Sequence, residues 1–278
     1  MRLKALPSLL TGFILLTSTI AATNPKFSAE QMRQSLSGDG IDLAAAGAPV
    51  WFFGEPQGHF PCYPTFPVND EGQQTPAGEL CDFPDTDCNC REPWISDGKF
   101  DPSFPVYFSF RECDSEEVQV AYNLFYEKDG FSPEGIFGHA YDWEYVIVIW
   151  KKTAYGENGD SSWSPTHLLL SAHGKLASHN WMDCDMDEET GKPKVYTSWA
   201  KHAHYAEPMT NKTTLLREMT EDAYRGEDWW YYPREDDLIK ADRSTDMGKL
   251  IESFDWGQAV GNPAVVHDRL CTDATAEQ

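Results

Sequence analysis

One histidine and two acidic residues lie within six positions of each other in the segment Gly138-His139-Ala140-Tyr141-Asp142-Trp143-Glu144. The apolar run from Tyr145 to Trp150 follows directly and is typical of a strand. Because side chains two apart on a strand point the same way, we expect Asp142 and Glu144 on one face, with His139 in the preceding turn. Two carboxylates this close repel each other unless a positive charge lies between them, so the segment predicts a bound cation.

A fourth ligand is expected from the strand before this segment. Residues 118–126 follow the two-residue period of a half-buried strand, and a hairpin would bring the next acidic residue, Asp129, alongside the start of the segment. The predicted metal site is therefore Asp129, His139, Asp142 and Glu144. This oxygen-rich set suits a divalent cation such as Mg²⁺ or Ca²⁺ better than zinc. The alternative is a solvated acidic hairpin without an ion.

Three more histidines and one tyrosine are candidates for a pocket or a glycan contact. Residues 167–173 are predicted to form a strand that ends at His173. Residues 194–205 are predicted to form another strand, with His202 and His204 on one face. Tyr141 is a candidate because it lies inside the acidic segment. For a lone histidine such as His173, a satisfied polar side chain is the more common role.

Catalysis by a side-chain nucleophile is not indicated. The sequence contains no Gly-x-Ser-x-Gly elbow and no phosphate-binding glycine loop. Asp142 and Glu144 could act as a general acid and base in glycoside cleavage, since α-carbons two apart on a strand are roughly 6–7 Å apart. A metal-dependent glycoside hydrolase therefore stays open as an alternative.

The first 22 residues have the organisation of a secretory signal peptide. Arg2 and Lys4 precede an apolar core, residues 9–16, and small residues follow it. The core is too short to span a bilayer. We therefore expect a secreted, extracellular protein whose mature part, residues 23–278, is a single domain. Asn211 begins the one N-glycosylation sequon.

The net charge excludes some classes of function, and the cysteine content indicates an oxidising compartment. The net charge of −23 excludes a nucleic-acid-binding protein, which needs a basic surface, and it argues against generic attraction to anionic lipid. The seven cysteines predict disulfides in an oxidising compartment and, because the number is odd, at least one cysteine unpaired within the chain. A zinc site at Cys81, Cys88 and Cys90 is the less favoured alternative.

The pattern along the chain predicts a mainly β protein. A helix is expected over residues 27–36, with Ser28 as N-cap and Gln31 completing a capping box. Residues 62–105 are rich in Pro, Gly, Asp and Cys and are expected to form a disulfide-stapled loop. Strands predominate from residue 118, and helices return around residues 216–223 and 246–254. The predicted architecture is a β-sandwich with peripheral helices.

The acidic segment resembles the Gly-His-Arg-His-Asp-Trp-Glu heptapeptide of the necrosis- and ethylene-inducing-peptide-like proteins, which are secreted by fungi, oomycetes and bacteria. Further segments resemble the family in the family's order. They are residues 59–64, 120–129, 171–174, 192–196 and 255–259.

This resemblance implies a β-sandwich related in shape to actinoporins and fungal lectins. It implies that a divalent cation is held at the positions of Asp129, His139, Asp142 and Glu144. Active members are plant cytolysins that recognise glycosylinositol phosphorylceramide head groups in the outer leaflet, where the cation helps to engage the terminal sugar. The resemblance thus implies a monomeric virulence toxin that damages membranes and is not an enzyme.

Two positions depart from the family heptapeptide. Ala140 stands where the family has Arg, and Tyr141 stands where it has His. The first change removes a fixed charge and five hydrogen-bond donors, and the second removes an imidazole. All four cation positions are kept, so the two changes bear on toxicity and not on cation binding. They leave an attenuated cytolysin and a non-toxic, lectin-like glycan-binding protein as the two main hypotheses.

Overall fold

The computed structural model describes residues 24–54, 62–82, 95–96, 99–100, 104–153, 161–208 and 230–272. The predicted signal peptide, the sequon at Asn211, the helix expected around residues 216–223, and Cys88 and Cys90 lie outside these ranges. Within them, the helices are α1 Ala29–Ser37, α2 Ile41–Gly47, α3 Asp246–Glu252 and α4 Pro263–Arg269. None of these helices has the length and apolar character needed to cross a bilayer.

Strands are the more abundant regular structure in the described residues. In chain order they are β1 Phe27–Ser28, β2 Val50–Phe53, β3 Cys81–Asp82, β4 Ile95–Ser96, β5 Lys99–Phe100, β6 Val106–Asp114, β7 Glu117–Ser132, β8 Gly138–Thr153, β9 Ser162–Ala172, β10 Lys175–Asn180, β11 Lys194–Thr197, β12 His204–Tyr205, β13 Trp230–Tyr231 and β14 Leu238–Lys240. The larger sheet has eight strands in the order β1-β9-β8-β7-β6-β14, with β10 beside β9 and β3 beside β7. The smaller sheet has four, in the order β12-β11-β2-β13, and β4 pairs with β5.

The two larger sheets pack face to face. Trp51 and Phe53 from β2 share one hydrophobic core with Tyr122 from β7 and with Val148 and Trp150 from β8. Apolar side chains from two sheets that meet in one core define a sandwich. The predicted mainly β class and sandwich architecture are therefore confirmed.

The opposite face of the larger sheet is covered by the C-terminal helices. Ile147 and Ile149 alternate with the residues that face the smaller sheet, and they pack with Val266 and Leu270 of the α4 region. This is why β8 is an almost unbroken apolar run: both of its faces are buried. A disulfide between Cys113, in β6, and Cys271 fastens the end of α4 to the sheet.

The structure confirms the predicted start of the first helix. Ser28 is the N-cap of α1: its Oγ accepts a hydrogen bond from the Gln31 N–H, and Gln31 Oε1 accepts one from the Ser28 N–H. The acidic segment differs from its prediction in one respect. His139 belongs to β8 itself, because β7 continues past Asp129 to Ser132 and pairs with the whole segment.

The strand predicted over residues 194–205 is wrong. The chain instead forms β11 and β12, an antiparallel pair in which Tyr196 lies opposite Tyr205. Residues 198–203 make the turn between them, which is closed by a hydrogen bond from the Ser198 N–H to the Ala203 carbonyl. His202 lies in this turn with a left-handed φ of 51°, so it does not share a strand face with His204. The 198–203 turn reaches the acidic hairpin of β7 and β8.

Candidate cation site

The hairpin of β7 and β8 brings the acidic residues together. Its register places Asp129 opposite His139 and Gly130 opposite Gly138, as expected from the sequence. Gly138 is required by close approach, since a Cβ added there would lie 2.2 Å from the Asp129 carbonyl oxygen. The first residue of the acidic segment therefore fixes the distance between the strand that carries Asp129 and the strand that carries the other candidate ligands.

The four predicted ligands face one cavity of about 500 Å³ at this end of the sandwich. Regular alternation along β8 would put His139 and Asp142 on opposite faces, because they are three residues apart. Tyr141 lies between them with a φ of 59°, a left-handed conformation that is uncommon outside glycine. This local change of direction accounts for both side chains facing the same space. All four predicted ligands, Asp129, His139, Asp142 and Glu144, are among the residues that line the cavity.

The imidazole of His139 is held in an orientation that suits metal binding. Its Nδ1 lies 2.8 Å from the Tyr141 carbonyl oxygen, so in the neutral ring Nδ1 carries the proton and donates it. The unprotonated Nε2 then points into the cavity, 3.3 Å from Asp129 Oδ2. Metal-binding histidines commonly donate their second ring N–H to a backbone carbonyl in this way.

The two aspartates are buried, and their environment disfavours negative charge. Burial raises the pKa of Asp142 to about 7, and burial together with the charge of Asp142 raises the pKa of Asp129. The ammonium of Lys201 opposes this effect at Asp129, because Nζ donates a hydrogen bond to Oδ2 at 2.7 Å. A cation in the cavity would favour both ionised carboxylates.

His202 orients Asp142 from behind. Its ring stacks on Tyr126 with centroids 3.7 Å apart, its Nδ1 lies 2.9 Å from Asp142 Oδ2, and its Nε2 lies 2.9 Å from Sγ of the disulfide-bonded Cys62. Burial lowers the pKa of His202 to about 3, so the ring is neutral at pH 7 and shares one hydrogen bond with the Asp142 carboxyl group. Asp142 is thereby fixed in one orientation.

Glu144 is positioned by the neighbouring strand. Its Oε2 accepts a hydrogen bond from the hydroxyl of Ser171 in β9, and Ser171 Oγ accepts one from the Tyr145 N–H at 2.9 Å. This contact links the carboxylate to the β8–β9 pairing, so the sheet itself determines where Glu144 points.

The arrangement fits a metal ion. Ligand atoms of Asp129, Asp142 and His202 lie within 4.8 Å of one another, and this group could hold a cation. His202, however, does not line the cavity, and both of its ring nitrogens already have contacts. Asp129, His139, Asp142 and Glu144 do line the cavity, so these four remain the candidate cation-facing set. Three carboxylates and one imidazole are ligands that hard divalent cations accept.

The other candidates are placed differently. His173 lines the cavity and lies 3.3 Å from the hydroxyl of Tyr205. His204 is buried away from it, with Nδ1 3.3 Å from the Tyr145 carbonyl, and burial lowers its pKa to about 3. Tyr141 packs against Phe125 and Trp256 instead of facing the cavity.

Lys201 was missed by the sequence analysis. The 198–203 turn delivers it to the cavity, and the turn is attached to β7 by a hydrogen bond from the Gly130 N–H to the Ala200 carbonyl at 2.8 Å. The available signal was a basic residue directly before His202 in a very acidic chain. The wrong strand prediction for residues 194–205 concealed this signal, because in a strand the side chains of Lys201 and His202 would point in opposite directions.

A comparison with known protein families found a match. The sequence profile of the necrosis inducing protein family (NPP1) matches residues 57–264. The chain therefore belongs to this family, as its resemblance predicted. A search of curated proteins returned no match to this chain.

Several solved structures are similar to this chain at low identity. The non-toxic HaNLP3 protein is 19% identical, with a TM-score of 0.48 over 81% of this chain and 87% of its own. NLPPya in complex with mannosamine is 19% identical, with a TM-score of 0.46 over 78% and 82%. Necrosis and Ethylene inducing Protein 2 from the causal agent of cocoa's Witches Broom disease is 18% identical, with a TM-score of 0.38 over 70% and 74%.

Proposed function

We propose that this protein is a secreted, cation-dependent binder of plant sphingolipid sugars, with glycosylinositol phosphorylceramide as its target and Mg²⁺ or Ca²⁺ as its cation. It acts at the outer leaflet and without covalent catalysis. The observation that supports this proposal most directly is the convergence of Asp129, His139, Asp142 and Glu144 on one cavity in a member of the necrosis inducing protein family.

Each part of the cavity has a role in this proposal. When bound, the cation supplies a Lewis acid that can accept sugar hydroxyl groups as ligands. The three carboxylates balance its charge, and His202 and Ser171 keep Asp142 and Glu144 in fixed orientations. The cavity volume of about 500 Å³ lies in the range of roughly 300–1,000 Å³ that is usual for ligand pockets.

The rim of the cavity supports contact with a surface. Ile136 and Val260 line the cavity and are 72% and 61% exposed, and Phe137 beside them is 48% exposed. Large apolar side chains around a polar pocket are a feature of interaction sites. A head group in the cavity would bring this apolar rim close to the lipid that carries it.

Vesicle binding tests the proposal. Purified protein is mixed with phosphatidylcholine vesicles, with or without plant glycosylinositol phosphorylceramide, in MgCl₂, CaCl₂ or EDTA. We expect co-sedimentation only with the glycolipid and a divalent cation, and at least about a tenfold loss of binding for Asp142→Asn. Asp70→Asn makes the same charge change on an exposed turn and should bind as the wild type does. Equal binding in EDTA would contradict a role for the cation.

Two further assays separate the hypotheses. A glycan array with and without EDTA that detects other sugars and not the plant head group would favour a lectin-like protein. Turnover of model glycosides that disappears in Glu144→Gln would favour a hydrolase. Infiltration of dicot leaves at micromolar protein, beside a related toxin, tests cytolysis, and necrosis equal to that of the toxin would exclude an attenuating effect of Ala140 and Tyr141.

A further inference from the structure

We propose that Lys201 is a built-in competitor for the divalent cation, so that cation binding exchanges one positive charge for another. This inference rests on the proposed cation-binding function, because it concerns how the same cavity selects and holds its ion. In this proposal Lys201 sets the affinity of the site for the cation. The ion must displace an ammonium group, which is a requirement that the three carboxylates and the imidazole alone do not impose.

The position of the ammonium group carries the argument. Lys201 Nζ donates to Asp129 Oδ2 at 2.7 Å and to the Phe137 carbonyl at 2.6 Å. The same carboxylate oxygen lies 3.3 Å from Nε2 of His139, the nitrogen that would coordinate a metal. A divalent ion bound by Asp129 and His139 would therefore share an oxygen with the ammonium at close range. Two cations on one carboxylate oxygen repel each other, so the ion is bound more weakly while Lys201 stays.

Lys201 can leave without disturbing the sheet. Its side chain is 24% exposed and has a flexible four-carbon stem, whereas the turn that carries it is held through the backbone by Gly130 and Ala200. Asp129, in contrast, is fixed in β7 and is 6% exposed. Exchange therefore requires only a rotation of one side chain toward solvent, and the metal-free protein keeps a partner for its buried carboxylate.

This arrangement has two linked consequences. Without metal, Lys201 stabilises the folded protein, because a buried carboxylate without a partner is costly. With metal, the same ammonium opposes binding. Replacing Lys201 by a neutral residue should thus lower the stability of the metal-free protein and raise the affinity for the metal, and a residue with a purely structural role would not produce the second effect.

The test is calorimetric titration of the whole protein with MgCl₂ and with CaCl₂, together with melting temperatures in EDTA and in each salt. We expect Lys201→Met to bind at least about tenfold more tightly, since a like charge within ~4–6 Å shifts ionic equilibria by roughly one to three powers of ten. Lys201→Gln can still donate to the Phe137 carbonyl, and it serves as a second variant if Lys201→Met does not fold. Lys201→Arg keeps the charge and should bind no more tightly than the wild type.

The matched control is Lys151→Met, which removes a lysine paired with Glu117 at 3.4 Å near the opposite end of β8. It makes the same change in net charge and should leave the affinity unchanged. If the wild type binds metal, Asp142→Asn does not, and Lys201→Met and Lys201→Gln bind as the wild type does, only the role of Lys201 is refuted. If no variant binds Mg²⁺ or Ca²⁺, the cation-dependent function fails together with this inference.

Discussion

At the scale of single residues, Tyr141 is where this chain differs most informatively from the family heptapeptide. The phenol ring does not enter the cavity, and it packs with Phe125 and Trp256 on the other face of the sheet. Its left-handed backbone, however, turns His139 and Asp142 toward the same space. The backbone at this position therefore helps to shape the cavity although the phenol does not enter it.

The ionisation of Asp142 predicts how metal binding depends on pH. Burial raises its pKa to about 7, above the ordinary value of 3.8, so in EDTA this group favours the folded protein at low pH and that contribution is lost as the pH rises through 7. A bound cation favours the ionised carboxylate. We expect the affinity for Mg²⁺ to fall about tenfold for each pH unit below 7, because a proton must leave when the ion binds.

Calorimetry between pH 5 and pH 8 would measure this dependence. His202 acts in the opposite direction on stability: burial lowers its pKa to about 3, so its contribution to folding is lost as the pH falls from its ordinary value of 6.5 through 3. Comparing melting temperatures with and without metal at each pH cancels this common effect. An affinity that is constant over the whole range would contradict the release of a proton from Asp142 on metal binding.

At the scale of elements, the β7–β8 hairpin was predictable and the 198–203 turn was not. Two-residue alternation and the acidic segment were enough to place Asp129 opposite His139, since hairpin pairing is local in sequence. The contacts of Lys201 and His202 cross 72 and 60 residues to reach Asp129 and Asp142. No periodicity in residues 194–205 specifies such contacts, because they depend on how the smaller sheet packs against the larger one.

The two hairpin strands approach so closely at Gly138 that adding a single methyl group there should destabilise the protein. Gly138→Ala would place a Cβ 2.2 Å from the Asp129 carbonyl oxygen and 2.6 Å from the Phe131 nitrogen, so the strands must move apart. We expect a loss of about 1–3 kcal/mol in the free energy of unfolding and weaker Mg²⁺ binding.

Urea denaturation and calorimetry would measure both effects. Gly78→Ala is the control, because a Cβ at Gly78 would make only ordinary contacts at 3.4 Å with Glu127 and Lys128. A Gly138→Ala protein as stable as this control would mean that the hairpin does not need glycine at the start of the acidic segment.

The disulfide between Cys113 and Cys271 predicts a second stability effect at this scale. It connects positions 158 residues apart and fastens the end of α4, and Arg269 of this helix lines the cavity. Cys113→Ser combined with Cys271→Ser should lower the free energy of unfolding by about 2–4 kcal/mol, because the unfolded chain regains freedom.

The matched replacement is Cys184→Ser, which alters a buried cysteine that is free among the described residues. Its Sγ hydrogen bond to the Asn180 carbonyl can be kept by serine, so the loss should be smaller. Equal losses in urea denaturation would indicate that cysteine burial, and not the crosslink, provides the stability.

At the scale of the whole molecule, the net charge of −23 predicts that the protein does not bind anionic membranes through its overall charge. Vesicles of phosphatidylcholine and phosphatidylserine should not bind it in EDTA at low ionic strength, where repulsion between like charges is strongest. Co-sedimentation at 10 mM and at 150 mM NaCl would measure this. Binding that appears in EDTA and weakens with salt would reveal a basic patch and would contradict an interaction that depends on a cation.

The contact between the 198–203 turn and the hairpin bears on how this site can evolve. The carboxylates belong to paired strands, whereas the opposing positive charge comes from a turn, and turns tolerate change more easily. One codon, that of Lys201, could therefore retune the ion requirement of the protein while the fold stays the same. Related sequences would then diverge in the ionic conditions under which they act before they diverge in architecture.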